Sequence, residues 1–112
     1  MTEIATRDLD GDRAVITVPG RLNMVAAPRL RDAIAAAVGD RRRVIVVDLG
    51  DTEFMDSSGL GALVAGLKSA RRTGGDLRIA RPTEQVQTVL RLTNMDRVLR
   101  PHASVEAAFD DA

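Results

Sequence analysis

Two adjacent serines, Ser57 and Ser58, follow an aspartate and precede two glycines in the stretch FMDSSGLGALV, residues 54–64. A hydroxyl at the start of a helix meets free backbone amides and the positive end of the helix dipole, so it can cap the helix. The same position would hold a phosphate equally well, because amides and dipole both favour an anion. The pattern therefore fits a helix cap and a regulatory phosphorylation site.

Glycines are unusual so early in a helix, since each costs up to about 1 kcal/mol relative to alanine. A cap alone does not require Gly59 and Gly61, which indicate that another group approaches this backbone closely. Together with Ala62, Ala65 and Gly66, they predict small, outward-facing side chains on the first two turns. We expect this surface to be an interface with a protein partner.

Patterns typical of enzymes are weaker in this chain. The stretch GLGALV partly matches a dinucleotide-binding loop, but Val64 occupies the third glycine position. The sequence does not match the nucleophile-elbow motif G-x-S-x-G, because Met55 occupies the position of its first glycine. A Ser-His-Asp triad would have to use His102, the only histidine, which we expect to be an ordinary surface residue. We therefore predict no catalytic residue, no cofactor and no enzyme activity.

Four acidic residues follow the most hydrophobic stretch: Asp48, Asp51, Glu53 and Asp56. They could form a magnesium site or the pocket of a phospho-receiver domain. A receiver needs an acidic pair after its first strand, whereas this chain opens with a predicted hairpin. A solvated acidic loop is the simpler interpretation, and the arginines at 41–43 are likewise interpreted as a solvated turn. We predict no metal site.

Composition limits the partners. The 112 residues fit one domain, assigned to residues 1–112. Sixteen basic and sixteen acidic residues balance, so no global field favours nucleic acid or an anionic membrane. Without cysteine there is no disulfide or thiolate chemistry. The N-terminus is acidic and polar, and no apolar run approaches the ~20 residues that span a bilayer. We expect a soluble, cytoplasmic protein.

Alternation and turn residues predict the elements that position these side chains. Asp10-Gly11 between two extended runs predicts a β-hairpin ended by Pro19-Gly20. The following elements are a helix from Pro28 to Gly39, a strand at Val44–Val47 covered on both faces, a helix from about Ser57 to Arg72, a strand at 76–80, a helix from Pro82, a short strand at Val98-Leu99 and a helix capped by Ser104. The order β-β-α-β-α-β-α-(β)-α predicts an α/β fold with a mixed sheet of four to five strands and about four helices.

The stretch FMDSSGLGALV after a hydrophobic strand, with GRLNMVAAPRL after the second strand, resembles the STAS domain of bacterial anti-sigma factor antagonists. The resemblance runs from about Ile4 to Phe109. It implies a partner switch, in which the dephosphorylated antagonist binds an anti-sigma factor and thereby frees a sigma factor for transcription. The anti-sigma factor is also a serine kinase with a GHKL-type ATPase site, its phosphorylation of the antagonist separates the complex, and a PP2C-type phosphatase restores binding.

Carried onto this chain, the resemblance makes Ser57 the phosphoacceptor, with Ser58 as second choice. The partner-binding residues that it implies are Arg21, Asn23, Asp56, Ser57, Ser58, Gly59, Leu60, Gly61 and Ala62. Relatives commonly read G-E-L-D in the earlier loop, where this chain reads GRLN at residues 20–23. Arg21 and Asn23 thus replace the two acidic residues, so the partner of this chain does not follow from the partners of those relatives.

A phosphate on Ser57 would add about −1.5 to −2 charges next to Asp56. Burying that charge at an interface costs several kcal/mol, and ~4 kcal/mol is about a thousandfold in affinity. We therefore expect electrostatic release of the partner without refolding of this domain. The alternative is a non-switching STAS subunit of a transport or stress-sensing complex, in which Ser57 is only a cap.

Overall fold

A computed structural model describes residues 3–110. The strands are β1 (Ala5–Asp8), β2 (Arg13–Thr17), β3 (Gly20–Leu22), β4 (Val44–Asp48), β5 (Thr52–Met55), β6 (Asp76–Ala80) and β7 (Pro101–His102). The main sheet has the strand order β1-β2-β4-β6-β7. The helices are α1 (Ala27–Gly39), α2 (Ser57–Arg72), α3 (Glu84–Leu92) and α4 (Val105–Asp110), with a 3-10 turn at Met95–Arg97. The predicted α/β fold with a mixed sheet and about four helices is confirmed.

The predicted hairpin forms the antiparallel edge of this sheet. β1 pairs with β2 in antiparallel register, and Gly11 in the turn has a φ of +59°, which glycine adopts without strain. The next pairs, β2 with β4, β4 with β6 and β6 with β7, are all parallel. β4 therefore lies in the middle of the sheet, as the unbroken β-branched run predicts.

The two faces of the sheet carry cores of different size. Ile45 and Val47 of β4 belong to the main core, which α1 and α2 cover. Val46 points to the other face and packs in a smaller core with Ala80 and with Ala108 of α4. All three β4 residues are fully buried, so the prediction of a strand covered on both faces is confirmed.

A second sheet, made of β3 and β5 alone, was not predicted. These strands pair in parallel over three and four residues, in stretches that the sequence indicates as loop. Thr52 ties the small sheet to the rest of the fold, because its Oγ1 donates to the carbonyl oxygen of Val18 at 2.6 Å. β5 ends at Met55, so this sheet determines where α2 begins.

The bounds of the predicted helices and strands agree with the structure to within about two residues except near β7, and α3 begins at Glu84 instead of Pro82. α2 and β6 have the predicted bounds, and Ser104 Oγ accepts a hydrogen bond from the Ala107 amide at 3.0 Å, as expected for a cap of α4. The prediction of a strand at Val98-Leu99 is wrong. Both amides donate to the Met95 carbonyl and continue the 3-10 turn, so pairing with β6 begins only at β7. No helix within residues 3–110 is long and apolar enough to cross a membrane.

Candidate phosphorylation and docking site

Ser57 lies at the edge where β3 and β5 end together. The two strands are parallel and Leu22 pairs with Met55, so the segments that follow them leave the small sheet side by side. The Asp56 amide continues this pairing by donating to the Leu22 carbonyl at 3.3 Å. Ser57 is exposed at the first position of α2, whereas Ser58 is half-buried. Of the two serines, Ser57 is the more accessible.

The N-cap of α2 is Asp56, not a serine. Its backbone is extended, and its Oδ1 accepts a hydrogen bond from the Gly59 amide at 3.1 Å. A carboxylate at this position satisfies a free amide and complements the helix dipole. The sequence allows either a serine or the aspartate to cap the helix, and in the structure the cap is Asp56. The Ser57 hydroxyl is therefore not needed to start the helix.

Gly59 is required by a contact inside the protein. A Cβ at this position would lie 2.4 Å from the Leu22 carbonyl oxygen and 2.6 Å from Leu22 Cγ. The close approach predicted from this glycine is thus made by β3 and not by a partner. Gly66 has the same kind of role, since its Cβ would lie 2.6 Å from Cδ1 of Ile34 in α1.

The prediction that the small residues of α2 face outward is wrong for most of them. Ala62 is fully buried, Leu60 is 9% exposed, and Gly59 and Gly66 also face the interior. Only Gly61 and Ala65 of this set are partly open to solvent. Sequence reasoning could not separate these positions, because small side chains suit tight internal packing as well as a docking surface.

The turn between β3 and α1 supplies exposed apolar side chains next to this edge. Asn23 is half-buried, and its Oδ1 accepts hydrogen bonds from the amides of Val25 at 3.0 Å and Ala26 at 3.2 Å. This arrangement holds Met24 and Val25 outward, with 73% and 70% of their surfaces exposed. Sequence reasoning missed both, although two large apolar residues in a turn before a helix were the available signal.

Arg21 and Phe54 form a pair on the outer face of the small sheet. They are register partners in β3 and β5, and the guanidinium lies 4.4 Å from the ring centroid. Such a contact between a cation and an aromatic face contributes about 0.5–1 kcal/mol at an exposed site. The structure thus presents a cation next to Phe54, three residues before Ser57.

The outer edge of β5 is closed by a side chain of α3. The Met55 amide donates to Gln85 Oε1 at 2.8 Å, and Gln85 Nε2 donates to the Met55 carbonyl at 3.1 Å. Thr83 adds a third bond through its Oγ1, which donates to the Thr52 carbonyl at 2.9 Å. These bonds fix the strand that leads into Ser57. They were not predicted, because a glutamine in a helix gives no sign of its partner.

The expectation of a solvated acidic loop holds for Asp51 and Glu53, which are exposed, but not for Asp48. Asp48 is only 8% exposed and makes a bidentate pair with Arg81, with Oδ1–Nε and Oδ2–Nη2 distances of 2.9 Å. Asp48 raises the pKa of Arg81 through these hydrogen bonds and its charge. Within residues 3–110, no three His, Asp or Glu side chains lie close enough to share a metal ion.

Two further surface expectations need correction. His102 is half-buried in β7 and is not an ordinary surface histidine. Arg42 is also not simply solvated, since its side chain is 22% exposed, pairs with Asp8 at 3.3 Å and donates to the Gly11 carbonyl. It therefore connects the β1–β2 turn to the start of β4.

A family model for the STAS domain matches residues 3–108. The chain belongs to the STAS domain family. In this STAS domain, the edge that carries Ser57 combines an exposed hydroxyl, the exposed apolar turn and the Arg21–Phe54 pair.

The relatives of this STAS protein include proteins named as anti-sigma factor antagonists. One from Thermotoga neapolitana, provisionally so named, is 36% identical over 67 residues, which is 60% of this chain and 59% of that protein. The anti-sigma-B factor antagonist of Listeria monocytogenes is 25% identical over 96 residues, covering 86% and 84% of the two chains. The match thus spans less than two thirds of the Thermotoga relative.

Solved structures share the whole fold. A crystal structure from Thermotoga maritima, also provisionally named an anti-sigma factor antagonist, has a TM-score of 0.87 at 28% identity and covers 96% of this chain and 92% of its own. The unphosphorylated form of the antagonist SpoIIAA has a TM-score of 0.83 at 22% identity, covering 96% and 94%. The phosphorylated form of SpoIIAA from Bacillus has a TM-score of 0.76 at 21% identity, covering 96% and 97%. The likeness to SpoIIAA shows a common STAS fold.

Proposed function

We propose that this STAS protein is a cytoplasmic anti-sigma factor antagonist whose partner binding is switched by phosphorylation of Ser57. The observation that carries the proposal is the exposed Ser57 at the first turn of α2, next to the edge where β3 and β5 end. The names of its relatives and the D-S-S-G motif support the same function. No enzyme activity of its own is part of the proposal.

The proposed docking surface consists of the accessible residues around Ser57: Arg21, Met24, Val25, Ser57, Ser58 and Gly61. The other residues implied by the family resemblance act behind this surface. Asp56 caps α2, Asn23 shapes the turn, and Gly59 allows β3 to pass beneath the helix. Leu60 and Ala62 hold α2 on the core, so the partner would not contact Ala62.

The proposed partner is an anti-sigma factor that is also a serine kinase of the GHKL ATPase type. It would bind the dephosphorylated surface and release its sigma factor. Phosphorylation of Ser57 would place about −1.5 to −2 charges beside Asp56 on that surface. A partner that covers an uncompensated anion loses several kcal/mol of binding free energy, so the complex separates. A PP2C-type phosphatase would remove the phosphate and restore binding.

Affinity capture from a lysate of the native cells tests this function. The baits are the wild-type chain, Ser57→Ala and Ser57→Asp, with retained proteins identified by mass spectrometry. We expect a GHKL-type ATPase with the wild type and with Ser57→Ala, and its loss with Ser57→Asp. Ser69→Asp is the matched control, because it adds the same charge to α2 about three turns away.

Two outcomes would contradict the proposal. If every bait retains the same partners, Ser57 does not control binding. If the specific partners are components of a transport system or a stress-sensing complex, the non-switching function applies instead.

A further inference from the structure

Arg31 on α1 lies against the first turns of α2. Its Nη2 is 3.6 Å from the position that a Cβ of residue 61 would occupy, so the guanidinium rests over the bare backbone of Gly61. Arg31 is exposed and forms no ion pair with the carboxylates of residues 3–110. Its charge is therefore available to another group.

Ser57 and Gly61 are neighbours on one face of α2. They are four residues apart, a spacing that places Cβ positions about 5–6 Å from each other on a helix. Helical side chains lean toward the N-terminus, so the space over Gly61 faces the turn that contains Ser57. A phosphate on the Ser57 hydroxyl extends into the same region. Because Arg31 Nη2 already lies over Gly61, rotation of its flexible side chain would bring the guanidinium toward this region.

We propose that Arg31 is the counter-ion of phosphorylated Ser57. This inference rests on the proposed phosphorylation of Ser57 and describes what holds the modified state. On phosphorylation, the guanidinium turns from Gly61 to the phosphate and donates two parallel N–H hydrogen bonds to its oxygens. Arginine matches the geometry of phosphate in this way, whereas lysine offers only a point charge.

The other charged side chains near Ser57 are less suited to this role. Asp56 is acidic and repels the phosphate in every variant, and Asp32 is the acidic neighbour of Arg31 on α1. Arg21 is already engaged with the ring of Phe54 at 4.4 Å. Arg31 has no comparable contact with an aromatic ring among the described residues.

The pairing has a consequence for the switch. In the dephosphorylated protein, Arg31 presents a free cation beside the docking surface. In the phosphorylated protein, that cation is bound to the phosphate. Because the phosphate carries about −1.5 to −2 charges and Arg31 only one positive charge, the pair still leaves net negative charge on the docking surface. Phosphorylation also withdraws a cation that a partner carboxylate could use.

A phosphorus NMR titration of the 112-residue chain tests the inference. Phosphoserine is introduced at position 57 during translation by genetic-code expansion, so no kinase is needed. We expect the second ionisation of the phosphate to have a midpoint lower by about 0.5 pH unit or more in the wild type than in Arg31→Gln, since a nearby cation favours the dianion. Arg31→Lys should give an intermediate midpoint.

Arg29→Gln is the matched control. Arg29 is an exposed arginine on the same helix, but it lies beside Glu3, Ile4 and Ala33. Its replacement should leave the phosphate titration at the wild-type midpoint. Equal midpoints in Arg31→Gln and Arg29→Gln would overturn the pairing.

This result is separate from the proposed function. Because the phosphate is installed genetically, the titration reads the pairing even if no anti-sigma factor is found. Conversely, a phosphate midpoint that does not depend on Arg31 overturns the counter-ion role of Arg31. The affinity-capture test of the proposed function is unaffected by that result.

Discussion

Within the candidate site, Gly59 is the position at which an added side chain would clash most severely. In Gly59→Ala, the new methyl group would lie 2.4 Å from the Leu22 carbonyl oxygen, and backbone cannot yield as a side chain would. We expect the free energy of unfolding to fall by about 1–3 kcal/mol through overpacking, partly offset by the better helix propensity of alanine. Urea denaturation measures this change.

Gly61→Ala is the control for this prediction. A Cβ there would meet only Arg31 Nη2 at 3.6 Å, an ordinary van der Waals distance. Stability should stay unchanged or rise by up to about 1 kcal/mol, because alanine favours the helix. Equal losses of stability in both variants would show that the contact with Leu22 is not what requires glycine at position 59.

Gly59 and Gly61 show how much of the site can be predicted from residue types alone. The motif around Ser57 and Ser58 predicts where the candidate site lies, with Asp56 as part of it. The two glycines looked equivalent, since both simply lower helix propensity. Only the path of β3 beneath α2 distinguishes them, and Leu22 is far away in the chain.

Among contacts between elements, the double hydrogen bond from Gln85 to Met55 has the clearest consequence. Gln85→Leu would leave the amide and carbonyl of Met55, a buried residue, without these partners. Unsatisfied buried groups cost about 1–3 kcal/mol, so stability should fall by that amount and the Met55 amide should exchange hydrogen faster. Denaturation and amide exchange measure the two effects.

Gln87→Leu is the matched control on α3. Gln87 is exposed and its Nε2 makes one hydrogen bond, to the Pro82 carbonyl at 2.9 Å. We expect a change within about 0.5 kcal/mol. Unchanged protection of the Met55 amide in Gln85→Leu would mean that α3 does not hold β5 in place.

The Asp48–Arg81 pair connects the end of β4 to the residue after β6. In Asp48→Asn, the charge is lost with little change of shape. Breaking a fully buried pair costs about 3–5 kcal/mol. The Arg81 side chain is 47% exposed, so water compensates in part and we expect a loss of about 1–2 kcal/mol in denaturation.

The pH dependence of this loss follows from the direction of the pKa shift. Asp48 raises the pKa of Arg81, so the stabilisation linked to this arginine is complete below its ordinary pKa and disappears only in strong alkali. The difference in stability between the wild type and Asp48→Asn should therefore stay constant from about pH 6 to pH 9. A slope across that range would require another titrating group.

Elements differ in how well they can be predicted. The bounds of α2 follow from Asp56 before it and Gly74-Gly75 after it, and β4 follows from its β-branched run. β3 and β5 are too short to show alternation, and they depend on each other and on Gln85. Their existence is a property of tertiary contacts, which local sequence does not contain.

On the scale of the whole molecule, phosphorylation of Ser57 should leave the fold unchanged. Ser57 is exposed and belongs to neither core, so an added phosphate displaces no buried side chain. We expect amide chemical shifts between phosphorylated and unmodified chains to differ around the Ser57 end of α2 and the β3–α1 turn. Shifts that extend to α4 would instead indicate a rearrangement of the domain.

The amide of Gln85 also affects how this protein meets other copies of itself. The side-chain amide occupies the donor and acceptor of Met55 that a neighbouring strand would otherwise use. Open strand edges are the starting points for intermolecular β-sheet growth. At Met55, a single glutamine thus takes the place of a peptide group from another chain, which makes this edge a poor template for aggregation.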